Sequence, residues 1–151
     1  MVSKDFAAGF IAGEGTFTII TQAERGRIYP QFSVAIHKKD KETLDKLQEL
    51  FDGIGSVYDR TDIDDCFQWR VQNQKELPKV IDVLDDSKSF KVTEKYDQYQ
   101  TWRQIVELYV EKYHTPTENA VEMAELARDE LNVGLGKSEE SWDEFISLLK
   151  E

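Results

Sequence analysis

A ten-residue segment, Phe6–Gly15, constrains the fold more than any other part of the sequence. Gly9 and Gly13 lie four residues apart, as do Ala8 and Ala12, so these small residues fall on one side of a helix. A glycine inside a helix costs about 1 kcal/mol relative to alanine, which indicates that the small face has a packing purpose. The segment therefore predicts a short helix whose small face lets a second backbone come close.

An acidic residue, Glu14, stands between two glycines at the end of this predicted helix, and a strand-like run, 16–23, follows. If two such helices packed about a two-fold axis, their Glu14 side chains would meet and repel each other. A divalent cation would reverse that preference, and a hard, oxygen-preferring ion such as Mg²⁺ suits carboxylates. The alternative is a core helix with Glu14 as a solvated turn residue, and the segment alone leaves both interpretations open.

Composition places the chain among globular proteins. Its 151 residues are 40% hydrophobic and 32% charged, enough for one domain with a sizeable core. No apolar run approaches the roughly 20 residues that span a membrane, so no membrane partner is expected. Cys66 is the only cysteine, which predicts an intracellular, reducing compartment: cytoplasm, nucleoid or organelle.

The net charge of −11 is unevenly distributed along the chain. Residues 1–114 carry 16 basic and 20 acidic side chains, a net −4, and residues 115–151 carry 3 and 10, a net −7. Nucleic-acid binders usually present a basic patch to the phosphates. The nearly neutral part can still bind DNA if its basic residues share one face.

The hydrophobic pattern predicts an α+β chain. Residues 3–85 follow the order helix, strand, strand, helix, strand, strand, helix, and the second strand alternates apolar and polar residues over 28–37. A long aromatic helix is expected over 93–113. Two C-terminal helices follow, with Gly134 and Gly136 ending the first and Ser141 capping the second. We expect a core domain over 1–114 and an acidic helical extension over 115–151 that packs on it.

The segment Ala7–Gly15 resembles the motif of the LAGLIDADG homing endonucleases, with no gap. Four residues fall where the family has its glycine, an aliphatic residue, the metal-binding acid and the final glycine: Gly9, Ile11, Glu14 and Gly15. Ala12 replaces the first, non-essential aspartate of the motif. The element order over 3–85 is also that of the family, and the resemblance extends over roughly residues 3–113.

The resemblance implies an αββαββα fold whose four-stranded antiparallel sheet lies in the DNA major groove. It implies a double-strand break with short 3′ overhangs and Mg²⁺ as cofactor, with Mn²⁺ or Ca²⁺ able to substitute for binding. Only one copy of the motif is present in the chain. A C2 homodimer on a palindromic or pseudo-palindromic site is therefore expected, with the motif helices meeting through Ala8, Gly9, Ala12 and Gly13.

The resemblance also assigns catalytic roles. Glu14 is expected to bind the metal, with the Gly13 backbone carbonyl as a further ligand. His37 falls near a polar position that organises the water nucleophile, although a lone histidine at a strand end is by default a surface residue. Lys95 aligns with a lysine near the scissile phosphate, where a positive charge stabilises the developing charge. The local pattern leaves Lys91 open as an alternative.

The polar faces of the predicted strands are the candidate DNA contacts, because arginine can read guanine and glutamine adenine in the major groove. The candidates are Thr18, Gln22, Arg25, Arg27, Gln31, Ser33, Lys38, Gln68, Arg70 and Gln72. The alternative is a polar sheet face that is simply exposed to water. Four carboxylates in the second hairpin oppose DNA binding there unless they point away: Asp59, Asp62, Asp64 and Asp65.

Two other function classes stay open at this stage. One is a relative that has lost cleavage and acts as an RNA splicing cofactor (maturase) or a DNA-binding regulator, which the retained Glu14 opposes. The other is an unrelated α+β interaction module, which the acidic charge favours. Assays of RNA or DNA binding with EDTA present would separate binding from cutting, and the interaction module is favoured if neither nucleic acid binds at low salt.

Overall fold

The structure is a computed structural model that describes residues 2–112, 114–131 and 140–151. The chain forms two compact units, Met1–Phe17 with Gln31–Tyr96, and Thr18–Pro30 with Asp97–Glu151. This division does not coincide with the expected boundary after residue 114. Four features expected from the sequence lie outside the described part: Tyr113, Gly134, Gly136 and the capping side chain of Ser141.

The first helix, α1, spans Lys4–Glu14. The Ser3 side chain accepts a hydrogen bond from the Phe6 backbone N–H at 3.1 Å, so Ser3 is the N-cap. Ala7 and Ile11 are fully buried. The helix is thus anchored by one apolar side, and its other side is considered with the site below.

Four strands form one sheet in the order β1-β2-β4-β3. Their bounds are β1 Gly15–Gln22, β2 Arg27–His37, β3 Ser56–Arg60 and β4 Cys66–Val71. Strand β4 pairs antiparallel with β2 on one side and with β3 on the other. The α+β class and the four-stranded antiparallel sheet expected from the sequence are confirmed.

Helices separate and follow the strands in the expected order. They are α2 Lys41–Leu50, α3 Leu77–Asp85, α4 Lys95–Val110, α5 Thr117–Leu126 and α6 Glu140–Lys150. Pro116 occupies the N-cap position of α5 and not its first helical position, with no side-chain cap bond because proline offers none. No helix in the described ranges is long and apolar enough to cross a membrane.

Aromatic side chains fill the core of the first unit. The ring centroids of Phe17 and Phe32 are 5.4 Å apart, and those of Phe32 and Trp69 are also 5.4 Å apart. Phe51 meets Trp69 at 5.1 Å, and Phe90 meets Phe17 at 6.2 Å. All five are fully buried. Because side chains alternate along a strand, this core fixes which strand residues face the opposite side of the sheet.

The second unit buries one side of α4. Tyr99 and Trp102 are fully buried, so these aromatics of the long helix are core residues. The Trp102 indole N–H donates to the Thr18 carbonyl at 3.2 Å. Apolar residues of α5 and α6 are also buried, among them Met123 and Phe145.

Candidate active site

The end of α1 presents Glu14 to solvent. Glu14 is the last residue of the helix and is exposed, while Gly15 begins β1 and is buried. The Gly15 N–H donates to the Ile11 carbonyl, and a Cβ at position 15 would lie 2.6 Å from that oxygen. Only glycine permits this tight junction between helix and strand. The junction therefore holds the carboxylate at a defined exposed corner.

Lys95, the first residue of α4, reaches this corner. Its Nζ donates a hydrogen bond to the Gly15 carbonyl at 2.9 Å, across 80 residues of sequence. The side chain is partly buried there. Lys91 is exposed in the turn Phe90–Val92, and the structure gives its side chain no such bond within the described part. Of the two lysines left open by the sequence, Lys95 is the one at the motif.

His37, at the exposed end of β2, has a local role. Its Nδ1 accepts a hydrogen bond from the Lys39 backbone N–H at 3.2 Å, which caps the following turn. No hydrogen bond joins His37 to Glu14 or Lys95 among the residues the structure describes. The imidazole therefore takes Nε2 as its protonated nitrogen when neutral.

The chemistry of this corner suits a hard cation. Glu14 offers carboxylate oxygens, and Gly13 lies beside it at the helix C-terminus, where the last carbonyls of a helix lack intrahelical partners. Within the described ranges, no group of three or more His, Cys, Asp or Glu side chains lies close enough to hold a metal ion.

The outer side of α1 is apolar and combines two exposed glycines with a pair of phenylalanines. Gly9 and Gly13 are exposed, and a Cβ at either would meet no atom within 4 Å. Phe6 is 47% exposed and lies beside Phe10, with ring centroids 5.9 Å apart. The resulting surface, Phe6, Gly9, Phe10 and Gly13, is called the outer α1 face below.

Of the four small residues expected at a dimer interface, the two alanines are less exposed than the two glycines. Ala8 is 1% exposed and packs inside its own chain, and Ala12 is half-buried. The four-residue spacing places Ala8 in line with Ala12, but the rotation of α1 about its axis is set by where Ala7 and Ile11 meet the core. The outer α1 face therefore centres on the glycines and not on the alanines.

The sheet surface opposite the aromatic core is the second notable feature of the first unit. The registers align Ser33 with Arg70 and Ala35 with Gln68, and they align Tyr58 with Gln68. We call this the polar sheet surface, formed by alternate residues of β2, β3 and β4: Ser33, Ala35, His37, Ser56, Tyr58, Arg60, Cys66, Gln68 and Arg70. None of these residues is acidic, in a chain of net charge −11.

Polar side chains on β3 and β4 interlock on this surface. The Gln68 Oε1 accepts from Arg70 Nε at 2.7 Å and from an Arg60 terminal nitrogen at 3.4 Å. The Arg70 guanidinium carbon lies 4.5 Å from the centroid of the Tyr58 ring. Sequence reasoning did not single out Tyr58 or Arg60, although the alternation of β3 could have identified them.

Three of the four carboxylates in the hairpin between β3 and β4 have a partner within the protein. Asp59 pairs with Phe67 in register, so it lies on the core side of the sheet, and hydrogen bonds from Thr61 hold the pKa of its carboxyl below the usual value. Asp64 binds Arg60 at 2.8 Å, and Asp65 binds Lys38 at 3.3 Å. Only Asp62 lacks such a partner among the described residues.

Two expected DNA contacts are buried. Gln31 is 8% exposed and Ser33 is 4% exposed, so neither presents its side chain freely to a ligand. Ser33 lies on a central strand, where its register partner on β4 is the much longer Arg70. Of the other candidates on these strands, Gln68 and Arg70 are partly exposed, and Gln72, just beyond β4, is exposed.

The remaining candidates lie on the β1–β2 hairpin of the second unit. Arg25 is exposed in the turn, whereas Thr18 and Gln22 are half-buried. Arg27 is directed toward Tyr29, 5.8 Å from its ring centroid, and also hydrogen-bonds Tyr109. Burial raises the pKa of the Tyr109 hydroxyl, and Arg27 opposes that shift.

The αββαββα fold with its four-stranded antiparallel sheet is that of homing-endonuclease-like proteins. The family model described as LAGLIDADG endonuclease matches residues 7–106, and the chain belongs to that family.

Known relatives agree with this assignment. Probable intron-encoded endonuclease 2 of Neurospora crassa is 30% identical over 154 residues, which cover 96% of this chain and 33% of the relative. The chain spans a third or less of the two curated relatives it matches, 33% of one and 24% of the other.

Solved structures share the fold. The archaeal intron-encoded homing endonuclease I-Vdi141I, complexed with DNA, superposes with a TM-score of 0.81 at 24% identity, covering 97% of this chain and 94% of that one. I-SmaMI, bound to an uncleaved DNA target in the presence of calcium ions, superposes with a TM-score of 0.78 at 24% identity, covering 93% of this chain and 48% of that one.

Proposed function

We propose that this chain is a site-specific endonuclease for double-stranded DNA, of the homing type. The observation that carries the proposal is the hydrogen bond, 2.9 Å long, from the Lys95 ammonium to the carbonyl of Gly15, the residue that follows Glu14. A carboxylate for metal and a cation for phosphate are the two charges that phosphodiester hydrolysis needs.

Glu14 and the Gly13 carbonyl are proposed to hold a divalent cation, Mg²⁺ in the cell, with Mn²⁺ or Ca²⁺ able to replace it for binding. Such an ion activates water and stabilises the leaving oxygen. Lys95 is proposed to contact the scissile phosphate and stabilise the charge that develops on it. His37 is proposed to order water through Nε2, because its Nδ1 is already occupied by Lys39.

DNA is proposed to lie along the polar sheet surface. That surface has no acidic residue of its own, and its Arg70 guanidinium has no carboxylate partner in the described part of the chain, so DNA would meet a positive charge there despite the acidic chain. Exposed Arg25, Lys38 and Gln72 are proposed as further contacts, and the half-buried Thr18 and Gln22 as contacts at the hairpin. We assign buried Gln31 and Ser33 to support beneath the contact residues.

Two copies of the chain are proposed to meet through the outer α1 face. This would bring two Glu14 carboxylates to the two-fold axis. The open space at Gly9 and Gly13 supports the proposal, because a Cβ at either position would meet no atom of this chain within 4 Å and a second backbone could approach there. A two-fold dimer would recognise a palindromic or near-palindromic site and leave short 3′ overhangs.

The test is to incubate the purified protein with a library of duplex DNA and Mg²⁺ and to sequence the new ends. The proposal predicts ends at one family of related, two-fold symmetric sites, with 3′ overhangs, and no ends in EDTA. An intact library at all protein concentrations would overturn the nuclease assignment. Retention of DNA without cutting would instead support a DNA-binding regulator.

A further inference from the structure

We propose that Arg70 determines specificity by reading one guanine in the major groove, and that Tyr58 and Gln68 position it. The inference rests on the proposed DNA-binding function and goes beyond it, because it selects one base-reading residue and one base from several polar candidates.

Arg70 is distinguished first by its charge. The two guanidinium groups of the polar sheet surface have different partners: Arg60 binds the Asp64 carboxylate at 2.8 Å, whereas Arg70 has no carboxylate partner in the part of the chain that the structure describes. The positive charge of Arg60 is thus engaged within the protein. The charge of Arg70 is available to a ligand.

Arg70 is also held in one orientation. Its Nε donates to Gln68 Oε1 at 2.7 Å, and its guanidinium lies 4.5 Å from the centroid of the Tyr58 ring. These two contacts use the inner edge and one face of the planar group. Its two terminal nitrogens remain as parallel donors that need little further ordering to bind.

The same contacts remove Gln68 as a reader of adenine. A guanidinium can only donate hydrogen bonds, so the Gln68 oxygen must be the atom that faces Arg60 and Arg70. Recognition of adenine by glutamine needs that oxygen to accept from the adenine amino group. Gln68 can therefore contribute only its amide N–H donors, whereas exposed Gln72 keeps both its oxygen and its nitrogen.

A pair of parallel donors matches guanine best. In the major groove guanine presents two neighbouring acceptors, N7 and O6, whereas adenine pairs one acceptor with a donor. The geometry around Arg70 thus predicts one guanine in each half of the recognised site.

The experiment compares sites selected from random duplex DNA by the wild type, Arg70→Gln and a control, Gln104→Leu on the exposed side of α4, with Ca²⁺ in place of Mg²⁺. We expect the wild type to select one guanine per half-site, Arg70→Gln to lose that guanine only, and Gln104→Leu to keep it. Selection of related sites without an Arg70-dependent guanine would overturn the inference and leave the proposed function standing. Failure of the wild type to retain any duplex would overturn both.

A second measurement changes the DNA and not the protein. Replacing the selected guanine by 7-deazaguanine removes the N7 acceptor, and we expect binding by the wild type to weaken about 10-fold or more. Tyr58→Phe should keep the guanine preference because the ring remains, and Tyr58→Leu should reduce it. Unchanged affinity for the 7-deaza site would contradict the inference even if Arg70→Gln failed to fold.

Discussion

At the scale of single residues, the account depends on where Lys95 places its charge. The hydrogen bond from its Nζ to the Gly15 carbonyl joins two parts of the chain that are 80 residues apart. The sequence leaves either Lys91 or Lys95 as the lysine near the scissile phosphate, because both lie in one short segment. In the structure Lys95 is the first residue of α4, whereas Lys91 lies in the preceding turn.

We predict that Lys95→Met slows DNA cleavage about 100-fold or more and changes DNA affinity much less. Removal of one group that stabilises transition-state charge typically has an effect of this size. Single-turnover cleavage and equilibrium binding measure the two quantities, with Lys91→Met as the matched control. A larger loss of cleavage in Lys91→Met than in Lys95→Met would reverse the assignment.

Gly55 is predicted to be required for the close approach of its loop to the Arg70 backbone. Its φ is +75°, and a Cβ there would lie 2.3 Å from the Arg70 carbonyl oxygen. Gly55→Ala should destabilise the fold by about 1 to 3 kcal/mol from backbone strain, with crowding adding to that cost. Gly53→Ala is the control, because its φ is +74° but no atom lies within 4 Å of the added Cβ. Equal losses in chemical denaturation would show that the crowding has no effect.

Burial of individual polar residues was the least predictable property at this scale. Gln31 and Ser33 alternate with Phe32 and Val34 as residues of an exposed face would, and alternation correctly gave their side of the sheet. Alternation does not tell how long the side chains on the neighbouring strand are. The residue opposite Ser33 is Arg70 on β4, and the sequence alone does not show which strand pairs with β2 or in which register.

At the scale of elements, α1 has two different sides. Ala7, Ala8 and Ile11 face the core, and the outer α1 face carries Gly9 and Gly13. The sequence predicted the helix and its cap. The sequence did not predict how the helix is rotated about its axis. The glycine pair and the alanine pair have the same four-residue spacing, so the sequence alone does not show which pair faces the core.

We predict that Gly13→Leu weakens self-association at least 10-fold and leaves the fold of the single chain intact. Space is open at Gly13 within one chain, and leucine favours the helix by roughly 1 kcal/mol over glycine, so only a partner surface would be disturbed. Sedimentation velocity across a concentration series measures this, with exposed Gln104→Leu on α4 as the control. Unchanged association would place the dimer contact elsewhere.

At the scale of the whole molecule, negative charge is kept away from one surface. The net charge of −11 suggested an acidic protein unsuited to DNA, yet no residue of the polar sheet surface is acidic. Composition cannot show this, because it depends on which strand residues face the same way. Strand pairing placed Asp59 on the core side, and ion pairs occupy Asp64 and Asp65.

The surface carboxylates also predict an acid limit to stability. Hydrogen bonds hold the pKa values of Asp59, Asp86 and Asp129 below the usual value, through Thr61, Lys4 and Arg128. A lowered folded-state pKa contributes stability above the unfolded value, 3.8, and that contribution is lost as pH falls through the folded values. Unfolding free energy is therefore expected to decrease below about pH 4.

The variant Asp86→Asn isolates one of these groups. It should lower the unfolding free energy at pH 7 and have a smaller effect at pH 2, because the contribution of a carboxyl whose folded-state pKa is lowered decreases as the pH falls through that pKa. Denaturant unfolding at the two pH values measures this, with Asp62→Asn as the control because Asp62 has no ion-pair partner in the described ranges. An equal effect of Asp86→Asn at both pH values would contradict the expectation.

The most direct test of the whole account is the single-turnover rate of DNA cleavage by wild type, Glu14→Gln and Glu49→Gln on the site recovered from the library. Glu49 is an exposed glutamate on α2, away from the motif in sequence, and serves as the matched control. The account predicts that Glu14→Gln binds the site and does not cut it, while Glu49→Gln cuts as the wild type does. Cleavage by Glu14→Gln at the wild-type rate would contradict it.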